Sequence, residues 1–215
     1  MINARFLKRL FAFLIDTLIV FILSTIIYSM LNGIFNFNTS ETNKYIEEIT
    51  EIVNEMDKLD SGMENEEDIE KSYELLDQIT EKSKDNFKVI TMESIPNTMV
   101  TFVIQVLYYI ILCFYMKGQT LGKKLLNIKI VDNNGNAPSV NKLIIRSIIL
   151  NGLYATIIDS FMVFILDNNG FYNLHLVVNT FTIVIVLISS ILIIFNDDRK
   201  GIHDKVAKTK VVIDE

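Results

Sequence analysis

The sequence predicts an all-α polytopic membrane protein with four transmembrane helices, an extracytoplasmic helical hairpin inserted after the first, and a small cytoplasmic β-ribbon. Three observations predict it. Half of the 215 residues are hydrophobic, tryptophan is absent and proline occurs only twice, a composition unlike an average soluble domain. Four apolar runs, residues 9–31, 98–116, 143–166 and 175–195, match or approach the ~20 residues that a helix needs to cross a bilayer. A strongly acidic stretch of helical period separates the first run from the second.

The first run, RLFAFLIDTLIVFILSTIIYSML, covers roughly 33 Å as a helix at ~1.5 Å per residue. Arg5, Lys8 and Arg9 lead into it as they would into a signal peptide, but its apolar part outruns an h-region of ~7–15 residues. No small-x-small cleavage site follows, so the run reads as a span closed by Asn32 and Gly33. Asp16 stands about two turns inside. A carboxylate in hydrocarbon is expensive, so Asp16 should face a protein partner or water, and it is the first candidate functional residue.

The net charge of −6 divides unevenly. Residues 33–97 hold 17 acidic and 6 basic residues, which leaves the remainder at +5. The other Lys and Arg lie at or near three places: before the first run, between the second and third, and after the fourth. This positive-inside pattern puts the N-terminus, residues 117–142 and the C-terminus in the cytoplasm, and the insert and residues 167–174 outside. The single cysteine, Cys113, permits no intramolecular disulfide and reads as a small buried hydrophobe.

Within the insert, Tyr45, Ile49, Ile52, Met56 and Leu59 recur on one helical face, and Ile69, Tyr73, Leu76 and Ile79 do so beyond Ser61-Gly62. A helical hairpin follows, with Ser40 and Asn65 as N-caps and Gly62 closing its first helix. The chain thus divides into a membrane domain, residues 1–32 and 98–215, and the insert, 33–97. The insert reads either as a partner-binding, cation-gathering surface or as a solvated insertion.

The second run carries Gln105 and ends in KGQTLGKK, residues 117–124. This is not a phosphate loop, because three residues rather than four separate Gly118 from Gly122, and Lys rather than Ser or Thr follows Lys123. Its glycines suit a sharp turn, and Lys123 and Lys124 suit anionic headgroups. LNIKIVD, residues 126–132, alternates as a half-buried strand, and TKVVID, residues 209–214, is its natural partner.

The third run begins with Arg146, placed to snorkel to the cytoplasmic interface, and contains Asn151 and Asp159. Asp159 lies ~20 Å beyond Arg146 along a helix, at the far interface or within the membrane. Gln105, Asn151 and Asn179 suit interhelical hydrogen bonds, and His175 suits solvent. His203-Asp204 lacks the further ligands of a metal hydrolase site. No nucleophile with a base, cofactor loop or metal cluster appears, so neither an enzyme nor a cofactor is expected.

Four stretches carry a resemblance: residues 9–16, RLFAFLID; 118–125, GQTLGKKL, with 128–132, IKIVD; 146–149, RSII; and 199–206, RKGIHDKV. Together they resemble the RDD family of small bacterial membrane proteins, named for one arginine and two aspartates. The resemblance assigns Arg9 and Asp16 as the arginine and first aspartate, and Asp204 as the second. It implies a bacterial cell-membrane location and a commonly suggested transport role, including sodium–proton exchange for some members. Typical members have a shorter connection where this chain has its insert.

Two functions follow. The first is a transporter of cations or another small ligand, in which buried Asp16 alternates between a proton and a monovalent cation; four helices make a thin pathway, so this reading implies a homo-oligomer. The second is a non-catalytic membrane scaffold or accessory protein that binds a partner through the insert. Arg9 and Asp16 sit on one helix face roughly 10 Å apart, too far for easy pairing, so Arg9 is the expected partner of Asp204. The bilayer is the surrounding partner in both readings, and no nucleic acid is expected.

Overall fold

The computed structural model describes residues 2–60 and 66–214. Helices dominate: α1 (Phe6–Phe35), α2 (Ser40–Asp60) and α3 (Glu66–Val106), a π-helical turn (Leu107–Leu112), then α4 (Cys113–Tyr115) and α5 (Leu121–Leu125). After β1 (Ile128–Asp132) come α6 (Val140–Leu150), α7 (Leu153–Ile165), α8 (Asn168–Phe195), α9 (Ile202–Ala207) and β2 (Thr209–Ile213). Three helical stretches are long and apolar enough to cross a membrane, Phe6–Phe35, Asp68–Tyr115 and Asn168–Phe195, and α6 with α7 makes a fourth only if that bent pair is one span.

The third apolar run is therefore not one straight helix. It bends by 67° at Asn151-Gly152. Asn151 ends α6, and Gly152 takes φ +64°, a conformation that side chains disfavour, before α7 begins. The first run also departs from expectation, since α1 passes Asn32 and Gly33 and stops at Phe35, where Asn36 takes φ +50°. Pro96 lies inside α3, so the second hairpin helix continues unbroken into the second run.

The chain forms two compact units, and their boundary differs from a membrane domain plus insert 33–97. One unit takes the chain up to residue 35, 97–158 and 177 onward; the other takes 36–96 together with 159–176. In this second unit α2 and α3 run antiparallel, joined by Tyr45 Oη to Ser83 Oγ at 2.6 Å and by Lys82–Glu48 and Lys71–Glu55 ion pairs. Ser40 is the first helical residue rather than the cap. The Glu93 carboxylate instead accepts the backbone N–H groups of Glu41 and Thr42, neutralising the open start of α2. Phe87 stacks with Phe171 and lies 4.7 Å from the His175 ring, which explains why residues 159–176 join this unit. The predicted stripe of α2 faces inward with Ile52 buried, but α3 buries Leu75 and exposes Ile69, Tyr73 and Leu76. The expected turn at Ser61-Gly62 and cap at Asn65 lie outside the described residues, as does the side chain of Leu59.

In the first unit α1 buries only Ala12, Asp16, Val20 and Ser24, spaced four apart, while Leu14, Leu18 and Phe21 are exposed. Small or polar side chains on that stripe let α5 approach closely, and the apolar remainder suits lipid. The two strands pair antiparallel with Ile130 opposite Val211. A bare ribbon is marginal, and here the chain start reinforces it: Ala4 N–H donates to Val211 O at 2.9 Å, and Ile213 N–H to Ile2 O at 2.9 Å. Ile128, Ile130 and Val211 then pack with Ala4, Ala12, Ile110, Cys113 and Leu143.

Candidate functional site

Two buried carboxylates organise the first unit, and each is surrounded by donors. Asp16, fully buried on α1, accepts on Oδ1 from the Tyr108 hydroxyl and the Gly122 N–H, both at 2.7 Å. Its Oδ2 accepts from Thr120 Oγ1 at 2.5 Å and Lys123 Nζ at 3.1 Å, while Lys123 also donates to Thr120 Oγ1. Local sequence explains the cradle. The π-helical turn carries Tyr108, Tyr109 and Ile110 inward in succession, aiming the Tyr108 hydroxyl at α1. Gly118 takes φ +95° against β1, and at Gly122 a Cβ would stand 2.5 Å from Ala12 O and 2.7 Å from Asp16 Oδ1. Both glycines thus serve close approach as well as turning.

Asp204, also fully buried, sits at the third position of α9, where it accepts the N–H of the capping residue Gly201. Arg9 Nη1 donates to its Oδ2 at 2.9 Å, and Arg146 Nη1 donates to its Oδ1. Arg9 also donates to Ala4 O and Val211 O, so one guanidinium fastens the chain start, β2 and α9 to α1. Burial by itself raises the Asp204 pKa, but Arg146, His203 and Arg9 outweigh it and hold the carboxyl well below the usual range. His203 is pushed down, first by burial and then by Arg146. Ser189 Oγ accepts the Ile202 N–H at 2.8 Å and lies 3.2 Å from His203 Nδ1, while His203 Nε2 lies 3.4 Å from Asp204 Oδ2.

The expected pairing of Arg9 with Asp204 is present. Asp16 meets Tyr108 and the 118–125 segment. Two expectations are corrected. Arg146 does not snorkel; its side chain is 6% exposed because Asp204 holds it. Lys123 does not serve headgroups, being bound to Asp16 with its side chain 12% exposed.

Of the remaining candidates, Arg146 joins Asp204, whereas Asp159, Gln105 and Asn151 bond neither carboxylate among the described residues. Asp159 pairs with His175 at 2.9 Å in the second unit, so His175 is not simply solvated. Gln105 lies on α3 outside both clusters. Asn151 Oδ1 is buried without a hydrogen-bond partner among the described residues. That residue lines a cavity of about 170 Å³ in the first unit, shared with Arg9, Lys123, Arg146, Ser189 and His203 and walled by apolar side chains.

The sequence model of the RDD family matches residues 3–208. The chain belongs to the RDD family. A Bacillus subtilis (strain 168) protein named "Uncharacterized protein YxaI" is similar along nearly its whole length, 27% identical over 209 residues that cover 97% of this chain and 96% of that one. No solved structure matches. In this RDD protein the arginine and the second aspartate of the resemblance meet directly, while Asp16 forms a separate lock. Thr120, Tyr108 and Lys123 were not among the sequence candidates; the paired glycines of GQTLGKK were the signal that something packs tightly there.

Proposed function

We propose that this RDD-family chain is a multi-pass protein of the bacterial cell membrane, both termini cytoplasmic, acting as a non-catalytic scaffold or accessory protein. In this reading Arg9, Asp16 and Asp204 are structural locks. One observation carries it: Asp16 receives four donors, one of them the Lys123 ammonium. A cation at Asp16 would have to displace that ammonium, and a proton would leave Lys123 buried without its counter-charge, which costs several kcal/mol, roughly 3–5.

The topology draws support from charge and from geometry. Arg199 donates to Asn3 O, Ile130 N–H to Gly118 O and Ala4 N–H to Val211 O, so the segments before α1, after α4 and after α8 meet at one end, as an even number of crossings requires. The partner surface is the acidic second unit, where Ile69, Tyr73 and Leu76 are exposed on α3.

Cation/proton exchange at Asp16 is the competing reading, and a vesicle experiment separates them. Purified wild type should move no more protons than empty vesicles under Na⁺, K⁺ or Li⁺ gradients. Cation-driven proton movement by the wild type that vanishes in Asp16→Asn overturns the lock reading. A partner complex cross-linked by wild type should be lost with Ile69→Glu/Tyr73→Glu/Leu76→Glu; unchanged recovery counts against the α3 face.

A further inference from the structure

The cavity in the first unit has an unusual charge balance. Three cationic side chains, Arg9, Lys123 and Arg146, line it, and no acidic side chain does. Their counter-charges behind the wall are two, Asp16 and Asp204, so the buried group carries one positive charge in excess. The other titratable groups on the lining, Tyr109, Cys113 and His203, include no carboxylate, and Arg199 stands near Arg9 as a further cation. Arg146 bonds the protein only through Nη1 among the described residues, so its Nε and Nη2 donors are unused. An unbalanced buried charge is costly, and an anion would relieve it.

The rest of the cavity fits hydrocarbon. Phe13, Leu150, Val186 and Ile193 wall it. An inorganic anion would satisfy the cations and leave these walls facing it, whereas an alkane would cover the walls and leave the cations unpaired. Asn151 Oδ1, buried and lacking a donor, adds a place for one hydroxyl.

We propose that this cavity binds an anionic amphiphile, its acidic head against Arg146, Arg9 and Lys123 and its acyl chain along Phe13, Val186 and Ile193. Two sources share that chemistry, a free fatty acid and an anionic glycerophospholipid. The proposal is independent of whether Asp16 moves ions.

Wild-type chain, delipidated in a neutral detergent, is titrated with oleate, oleyl alcohol, phosphatidylglycerol and phosphatidylcholine, with bound lipid counted by native mass spectrometry. One equivalent of oleate or phosphatidylglycerol should bind at least tenfold more tightly than its uncharged or zwitterionic counterpart. Equal binding of charged and uncharged members, or no binding of any, overturns the proposal without recourse to a variant. Ser190 lines the cavity but touches neither lock, so Ser190→Trp should weaken the anionic ligand at least tenfold. Undiminished binding by a folded Ser190→Trp places the ligand elsewhere and equally overturns it. Tighter binding of phosphatidylglycerol than oleate, reduced by Asn151→Leu, identifies the phospholipid; the reverse order, insensitive to Asn151→Leu, identifies the fatty acid.

Discussion

Arg9 and Asp204, separated by 195 positions in the chain, meet at 2.9 Å between Nη1 and Oδ2, and both side chains are nearly or wholly buried. The same arginine also holds two backbone carbonyls, so the pair fastens the first helix to the last helix and strand. A buried pair of this kind is worth less than its Coulomb attraction suggests, since both ions give up water. Its loss is most severe on the carboxylate side, because removing Asp204 leaves both Arg9 and Arg146 buried without their counter-charge.

Arg146 shares Asp204 and tests that asymmetry. Arg146→Gln removes one of the two cations opposite the carboxylate and, with Arg9 still paired to Asp204, should destabilise the protein by about 1.5–3 kcal/mol, the worth of a hydrogen bond to a charged group. Arg146→Lys should recover only part of this, because it keeps the charge on a side chain one bond shorter than Nη1, the single nitrogen that reaches both Asp204 and Thr209. Denaturation in detergent, followed by circular dichroism, measures both.

Gly122 is helical, so replacement by alanine would ordinarily stabilise by about 1 kcal/mol. Here the added Cβ meets Ala12 O at 2.5 Å and Asp16 Oδ1 at 2.7 Å, with backbone on one side that cannot yield. Gly122→Ala should therefore lower the melting temperature and loosen the 118–125 segment. Hydrogen exchange at the Gly122 position, slow in the wild type because Asp16 accepts that N–H, should accelerate.

His203 predicts a pH dependence with a definite sign. Its folded pKa is lowered, mainly by burial, while the unfolded chain protonates near ~6.5. Below that value the unfolded state binds more protons, so this residue's contribution to stability falls as pH drops from about 7 toward 5. His203→Gln should flatten that part of the melting-temperature profile. Asp204 acts elsewhere: its depressed pKa gives stability present above ~3.9 and lost only in stronger acid.

Hydropathy and alternation are local signals, so the apolar helices and the strand pair were legible from sequence. Capping and face choice were less so. Tyr73 and Leu75 both fit helical spacings within α3, and spacing alone does not tell that Leu75 is the one buried. At the site, Asp16 and Asp204 stood out because a carboxylate beside apolar residues or within the family motif is conspicuous. Arg146 and Lys123 were misplaced for an equally physical reason. A cation beside an apolar run is assigned to headgroups by default, and their carboxylates lie 58 and 107 positions away, beyond any local pattern. The bend after Asn151 had a signal in the Asn-Gly pair, outweighed by the unbroken hydropathy around it.

The claim that these charges lock the fold is tested most directly by a double-mutant cycle on Arg9→Gln and Asp204→Asn, read as unfolding free energies in detergent. The account predicts single variants that each destabilise strongly and a double variant better than their sum, with coupling of about 2 kcal/mol or more. Additive single effects, with coupling near zero, would contradict it.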